Sequence, residues 1–310
     1  MKNGETETMA GSAIGSDWSE LIQECLINIF SRLTLEQRWR GPMLVCKSWL
    51  SACKEPSLNT AFDLDYRFNS IRESSDWWIP DFEMKIDSML RSVVDWSGAF
   101  ITEIRTRHCS DHSVNLVAER CPNLLVLSIR SCPNVTDASM FQIAFKCTKL
   151  REIDISYCYK ISREALVMIG RNCPNLKVLK RNLLNWLDPS QIVGIVPDEY
   201  LNAFPQDGDE EAAAIAEFMP NLNRLELRFS TLTRKGLSSI CEACLNIEYF
   251  DLAGCANLAS REIANAASSL KNLKDMKKSN YYIPRSVMHT ERYGHWRLFD
   301  ERFQNDVIRI

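Results

Sequence analysis

The sequence predicts an α/β repeat fold, a solenoid of short parallel strands backed by helices, preceded by a separate three-helix unit. A motif that returns along the chain predicts the solenoid: Cys121-Pro122-Asn123-Leu124, Cys147-Thr148-Lys149-Leu150, Cys173-Pro174-Asn175-Leu176, Met219-Pro220-Asn221-Leu222, Cys244-Leu245-Asn246-Ile247 and Leu270-Lys271-Asn272-Leu273. With the fourth residue of each as anchor, positions 124, 150, 176, 222, 247 and 273 are 26, 26, 46, 25 and 26 residues apart. The long step is one repeat plus about 20 residues. The pattern between Asp17 and Cys53 is different, with apolar residues at helical spacing, and predicts the three-helix unit.

Self-similarity at this period with an L-x-x-L-x-L core marks a leucine-rich repeat. Leu150, Ile153 and Ile155 alternate with polar residues as on a half-buried strand, and so do Leu124, Leu127 and Ile129. In the following half repeat, Ile161, Ala165, Leu166 and Ile169 share one helical face. Ser162 and Thr136-Asp137 are placed to cap the helix starts. No single unit can bury its own apolar side, so stability has to come from stacking neighbours. Cys109, Cys132, Cys158 and Cys255 each stand eight residues after an anchor (Ile101 for the first), which predicts a ladder of thiols inside the solenoid.

A net charge of -3 gives no push towards nucleic acid or anionic membrane. No run of 18 apolar residues is present, so no membrane span is expected. Met1 to Ser16 is polar and reads as a disordered lead without the apolar core of a signal peptide. The 12 cysteines read as reduced structural thiols, because most fall at repeat positions. Cys241-Glu242-Ala243-Cys244 is the one C-x-x-C and has no second pair at zinc spacing, so no metal is expected. The compartment implied is nucleus or cytoplasm. Phosphate-loop, dinucleotide, zinc-protease and serine-hydrolase motifs are absent, and His108, His112, His289 and His295 are scattered. Neither an enzyme nor a cofactor is expected.

In the N-terminal unit, Leu21, Ile22, Cys25, Leu26, Ile29, Phe30 and Leu33 make a wide apolar stripe on a helix that Asp17 and Glu20 would cap. Thr34 with Gln37 repeats the capping spacing for a second helix, Gly41-Pro42 ends it, and Met43 to Cys53 forms a third. Three short helices bury little surface, so the unit needs a partner, whether the repeats it caps or another protein.

Trp18, Leu21, Glu24-Cys25-Leu26, Ile29-Phe30-Ser31-Arg32-Leu33 and Val45-Cys46-Lys47-Ser48-Trp49 resemble an F-box. Followed by cysteine-containing repeats, the chain resembles the F-box/leucine-rich-repeat family over nearly its whole length. It is similar in particular to the plant Skp-interacting-partner F-box proteins. The resemblance implies a substrate-recognition subunit of a Skp–cullin–F-box ubiquitin ligase: the F-box, 17–60, docks on the Skp adaptor and the repeats, 61–280, hold an unknown substrate protein. It places Leu21, Ile22, Cys25, Leu26, Ile29, Phe30, Leu33, Pro42, Val45 and Trp49 at or near the adaptor. Leu21-Ile22 stands where many F-boxes have Leu-Pro, and Thr34 where a second Pro is frequent. A free-standing repeat scaffold remains the alternative.

Capture in a solenoid falls on the concave strand face, here Arg105, Arg107, Arg130, Glu152, Asp154, Arg224, Glu226, Arg228, Tyr249 and Asp251. Between F-box and repeats, Phe62 and Leu64 suggest a first degenerate strand, Trp77-Trp78 an apolar knot at the junction, and Phe82 to Val94 a helix. The insertion near 182–211 contains Trp186 and an acidic run, Asp207 to Glu211, expected as a loop leading to a helix near Ala212. The tail, 281–310, is expected to cap the last repeat.

Overall fold

The computed structural model describes residues 18–70, 73–185, 194–202 and 207–277. The expected lead at Met1 to Ser16, Asp17, Trp186 and the expected cap at 281–310 lie outside them. Eight strands run parallel and pair strictly in chain order: β1 (Ala61–Asp63), β2 (Glu103–Arg107), β3 (Val126–Arg130), β4 (Glu152–Asp154), β5 (Val178–Lys180), β6 (Arg224–Glu226), β7 (Tyr249–Asp251) and β8 (Asp275–Lys277). From β2 on, each strand starts two residues after its anchor. A parallel pair needs a crossover, and the repeat supplies one helix each time: α6 (Asp111–Arg120), α7 (Asp137–Lys146), α8 (Arg163–Asn172), α10 (Gly208–Phe218), α11 (Arg234–Ala243) and α12 (Ser260–Ser269). The degenerate first strand exists as β1, with Phe62 beside Ile104.

The core is one continuous column between strands and helices. Anchors Leu124, Leu150, Leu222 and Ile247 are fully buried, as are Ile153, Ile155, Ile169 and Phe250. Two cysteine ladders run through it. Cys109 and Cys132 sulfurs lie 3.5 Å apart, and the Cys158 and Cys255 thiols each donate to a strand carbonyl, Ile129 O and Leu227 O, at 3.0 Å. The second ladder, at the helix C-caps, has Cys147 donating to Cys121 O at 3.5 Å and Cys244 to Met219 O at 3.6 Å. A third ladder is made of caps. An aspartate accepts both the backbone N–H and the hydroxyl of the next helix's N-cap: Asp87 from Ser110, Asp111 from Thr136, Asp137 from Ser162 and Asp209 from Thr233, at 2.5–3.1 Å. Helix starts therefore satisfy their own orphan amides and also bolt one repeat to the next.

Seven residues after its anchor, the chain turns through the left-handed region at His108, Ser131, Tyr157, Phe229 and Gly254, with φ of 54, 52, 65, 58 and 76°. At Gly254 a side chain is excluded twice over, since a Cβ would come within 2.2 Å of the Phe229 ring.

The repeat after anchor Leu176 departs from the others. The insertion places α9 (Asp198–Asn202) before α10. The acidic run belongs to α10, which starts four residues earlier than expected. Asp207 caps it by accepting from the Asp209 and Glu210 amides, and Asp209, Glu210 and Glu211 fill its first turn, where the helix dipole favours carboxylates.

Ahead of the sheet, α1 (Gln23–Phe30) is shorter than the apolar stripe implies. Trp18–Glu20 is a separate 3-10 turn, and Ile22 precedes α1 without a side-chain cap. α2 (Leu35–Arg40) has the expected capping box of Thr34 and Gln37. The expected third helix divides into a 3-10 turn, Pro42–Leu44, and α3 (Lys47–Cys53). Between β1 and β2 lie α4 (Asp65–Ser70) and the long α5 (Pro80–Ser97), which buries Ile86, Leu90, Val93 and Val94 as their spacing requires.

Candidate functional site

Two surfaces are candidates: the outside of the three-helix unit and the concave strand face. In the three-helix unit, Leu26 and Phe30 are 0% and 2% exposed and form a small core with Ala52, Cys53 and Leu58. Both were expected among the adaptor contacts. The structure removes them from that set, because the helix face they share is turned inward onto α3. Leu21, Leu33 and Trp49 pack half-buried on this core, with Trp49 edge-on to Phe30 at 5.3 Å and its indole N–H donating to Trp18 O. Pro42 is also half-buried. What remains outside is Ile22 (64% exposed), Ile29 (46%) and Val45 (59%), with Cys25 on the same side of α1 as Ile22 and Ile29. Leu44, 76% exposed beside Val45, belongs with them. It escaped sequence reasoning because its neighbours set the helix phase.

The unit is fastened to the repeats. Leu35 belongs to the main core, and Trp39 leans on Phe62 with ring centroids 6.5 Å apart. Arg38 is buried beside Asn59, whose amide donates to Cys53 O and Glu55 O at 2.9 and 2.8 Å. Burial pulls the Arg38 guanidinium below its usual range.

On the concave face the charges mostly answer one another. Arg105 donates to Glu103 and Glu152, and Lys180 reaches the same Glu152 oxygen at 3.1 Å. Burial works against the Glu152 charge, but these two cations outweigh it and hold its carboxyl below the usual range. Arg224 pairs with Glu226 and lies 3.9 Å over the Tyr249 ring. Arg228 meets Asp251 at 3.3 Å. Asp154 and Asp251 are buried and accept from the backbone amides two residues on, Ser156 N and Ala253 N, so they fold the strand ends as much as they face outward. Arg130 reaches Asp65 at 2.5 Å and Asp154 at 3.9 Å, whereas among the described residues Arg107 makes one side-chain hydrogen bond, to Asn69.

An aromatic wall closes this face at the β2 end. Trp77 packs on Phe68 and His108, and Trp78 is edge-on to His108 at 4.9 Å. Tyr200 of the insertion crosses to Trp78, with centroids 4.8 Å apart, and stacks on Tyr159. The tryptophan pair therefore packs at the junction and also receives the insertion, a long-range contact with no sequence signal. His108 is buried among these rings, and burial, aided by Arg107, pushes its pKa down to about 3. It is neutral and offers no general acid or base near neutrality.

Arg181 was also missed. It occupies the strand position held by Ile129, Ile155, Leu227 and Leu252 in other repeats, yet it is 1% exposed. Its guanidinium donates to Ile155 O, Cys158 O, Ile161 O and the buried Glu211. Leu184 stands where other repeats carry a ladder cysteine, so Arg181 satisfies Ile155 O in its place.

No group of three or more metal-ligating side chains occurs among the described residues. No described helix is long and apolar enough to cross a membrane.

No family model matches the sequence. Among curated proteins of Arabidopsis thaliana, F-box protein SKIP1 is 59% identical over 298 residues, covering 96% of this chain and 99% of that protein. Putative F-box/LRR-repeat protein 19 is 56% identical over 297 residues, with the same coverage. F-box protein SKIP19 is 30% identical over 78% of this chain and 71% of its own length. Among solved structures, one described as the Rad7 and Elc1 complex in yeast matches 86% of this chain and 54% of the other at 14% identity, with a TM-score of 0.41. That structural likeness is too distant to carry an argument; the near-full-length sequence matches show that the chain belongs to the F-box/leucine-rich-repeat family.

Proposed function

We propose that the chain is the substrate-recognition subunit of a Skp–cullin–F-box ubiquitin ligase, acting by binding and without chemistry of its own. Family membership supports the class. The observation that carries adaptor docking is the exposure of Ile22, Ile29 and Val45, at 64, 46 and 59%, on a unit whose own core is already closed by Leu26 and Phe30. Bare apolar side chains on a small helical unit mark a protein interface. Cys25 and Leu44 extend this surface, and Leu21, Leu33, Pro42 and Trp49 support it from behind. The concave face is the capture surface for the substrate protein.

The test is binding of a purified Skp adaptor to the full chain and to the triple variant Ile22→Asp, Ile29→Asp, Val45→Asp. These side chains are outside the core, so circular dichroism of the variant should match that of the parent. Completing the burial of three half-exposed side chains contributes about 1 kcal/mol each, so the variant should bind about 100-fold more weakly or worse. No binding by the unmodified chain refutes docking. It leaves the second reading, a repeat scaffold with a helical cap, which the packing of Leu35 and Trp39 into the repeats also fits.

A further inference from the structure

The proposal below rests on the concave face being a capture surface. Along each strand, side chains reach this face at three registers. In the first two, cations and carboxylates alternate and pair, as Arg105, Glu152 and Lys180 do. The third register, at the strand ends, reads Arg107, Arg130, Ser156, Asn182, Arg228 and Ala253 and contains no carboxylate. Ser156 and Asn182 are bonded to one another, at 3.0 Å. Arg107 and Arg130 are register partners on adjacent strands, about 4.8 Å apart.

This pair is under-satisfied. The Nε of each is buried without a hydrogen bond. Arg107 forms no ion pair among the described residues. It lies 5.3 Å from the Phe68 ring and donates to Asn69. Burial and then Arg130 hold its guanidinium below the usual range. Beside them Tyr157, in the left-handed turn that follows β4, lies in the field of Asp154 and of Arg130, Arg228 and Arg107, and its hydroxyl makes no hydrogen bond among the described residues. The wall behind is His108 between Trp77 and Trp78, neutral and aromatic, a surface of low polarity against which a charge interaction is stronger than in water. Adjacent guanidinium forks with a free hydroxyl match the geometry of a carboxylate or phosphate group.

We propose that Arg107, Arg130 and Tyr157 form an oxyanion subsite that takes one acidic side chain, a carboxylate or a phosphate monoester, of a captured polypeptide. Asp65 and Asp154 pair with Arg130 at 2.5 and 3.9 Å, and Asp65 and Glu73 also lie in the field of Arg107, so an incoming anion joins these carboxylates around the two guanidinium groups.

The test uses the full chain immobilised and probed with degenerate heptapeptide pools that differ only in a fixed central residue: Glu, phosphoserine, Gln or Lys. Pools centred on Glu or phosphoserine should be retained at least 10-fold over the Gln pool, and the stronger of the two names the source of the anion. Arg107→Gln should abolish the preference. Tyr157→Phe, which removes one oxygen and nothing else, should reduce it several-fold, and Arg107→Lys should keep part of it. Equal retention of all pools, or an acid preference unchanged in Arg107→Gln with native circular dichroism, overturns the subsite. Adaptor binding measured on the same preparation separates the two readings. A chain that binds adaptor but ignores acid loses the subsite alone, and one that selects acid but binds no adaptor loses the ligase reading alone.

Discussion

Arg181 and Glu211 make a sharp test of how the irregular repeat is held. Arg181 has a side-chain exposure of 0% and Glu211 of 7%, and they meet at 3.1 Å. Replacing Arg181 with Leu restores the residue type of Leu227 and Leu252 but strands the Glu211 carboxylate in the core. Removing one partner of a buried ion pair costs about 3–5 kcal/mol. Glu211→Ala restores the small residue that Ser113, Ser139, Ala165 and Gly236 provide at this place in other helices, and leaves Arg181 charged among the carbonyls; a loss of about 3 kcal/mol is expected. The double variant removes both charges. What it forfeits is three hydrogen bonds to carbonyls, about 1 kcal/mol each, so it should lose no more than Arg181→Leu alone. Urea unfolding of the four proteins, read as a double-mutant cycle, measures this. A coupling of at least about 2 kcal/mol is expected. Losses that simply add, or a single variant within 1 kcal/mol of the parent, would refute the argument that the pair acts as one buried unit.

Three further outcomes follow from the ladders and the aromatic wall. His108 has a pKa near 3 folded and 6.5 unfolded, so the unfolded chain binds the extra proton and stability falls as pH drops below 6.5. At pH 5 this costs about 2 kcal/mol relative to pH 7.5. His108→Phe, which copies Phe229 at the same register and φ, should flatten that part of a urea-midpoint profile; an unchanged slope would show that His108 is already charged. Asp111→Ala removes the acceptor of Thr136 N and Oγ1 and should destabilise by about 1–2 kcal/mol, more than the same change at exposed Asp95, by thermal unfolding. A thiol-reactive dye in native buffer should label Cys25 first and Cys46 slowly, since the other 10 of the 12 cysteines are buried; burial pushes Cys121, Cys147 and Cys244 up to about 12, leaving almost no thiolate. Rapid labelling of all 12 would mean the ladders open.

The solenoid was legible because its signal is periodic. Anchors 25 or 26 residues apart, except for the 46-residue step over the insertion, fix strand, helix and the first cysteine ladder at once, and each copy confirms the last. The three-helix unit was legible in existence but not in facing. Leu26 and Ile29 are alike in composition and three residues apart, yet one is closed in and the other is 46% exposed; only the position of α3 decides between them. Contacts between distant segments gave no pattern to detect. Tyr200 on Trp78, and Arg181 under the Ile155 carbonyl, each occur once, and a residue that occurs once has no repeat to mark its place. The cap ladder lies between these cases: Thr136-Asp137 shows as a cap, but that Asp137 also holds Ser162 of the next repeat requires the stacking distance.

The attachment of α2 bears on both proposals. Leu35 lies in the same core as the repeats, Trp39 leans on Phe62 beside β1, and Arg38 with Asn59 locks the end of α3 to the segment entering the sheet. β1 in turn pairs with β2, which carries Arg107. Two strands of sheet thus connect the exposed residues of α1 to the third-register arginines through packed side chains. If both proposals hold, a polypeptide at Arg107 and Arg130 would sit at a fixed distance and angle from an adaptor at Ile22 and Ile29. The proposed receptor would use that rigidity to hold captured polypeptide and adaptor in one geometry, whereas a cap on a free scaffold would need no bare apolar face on the far side of the joint.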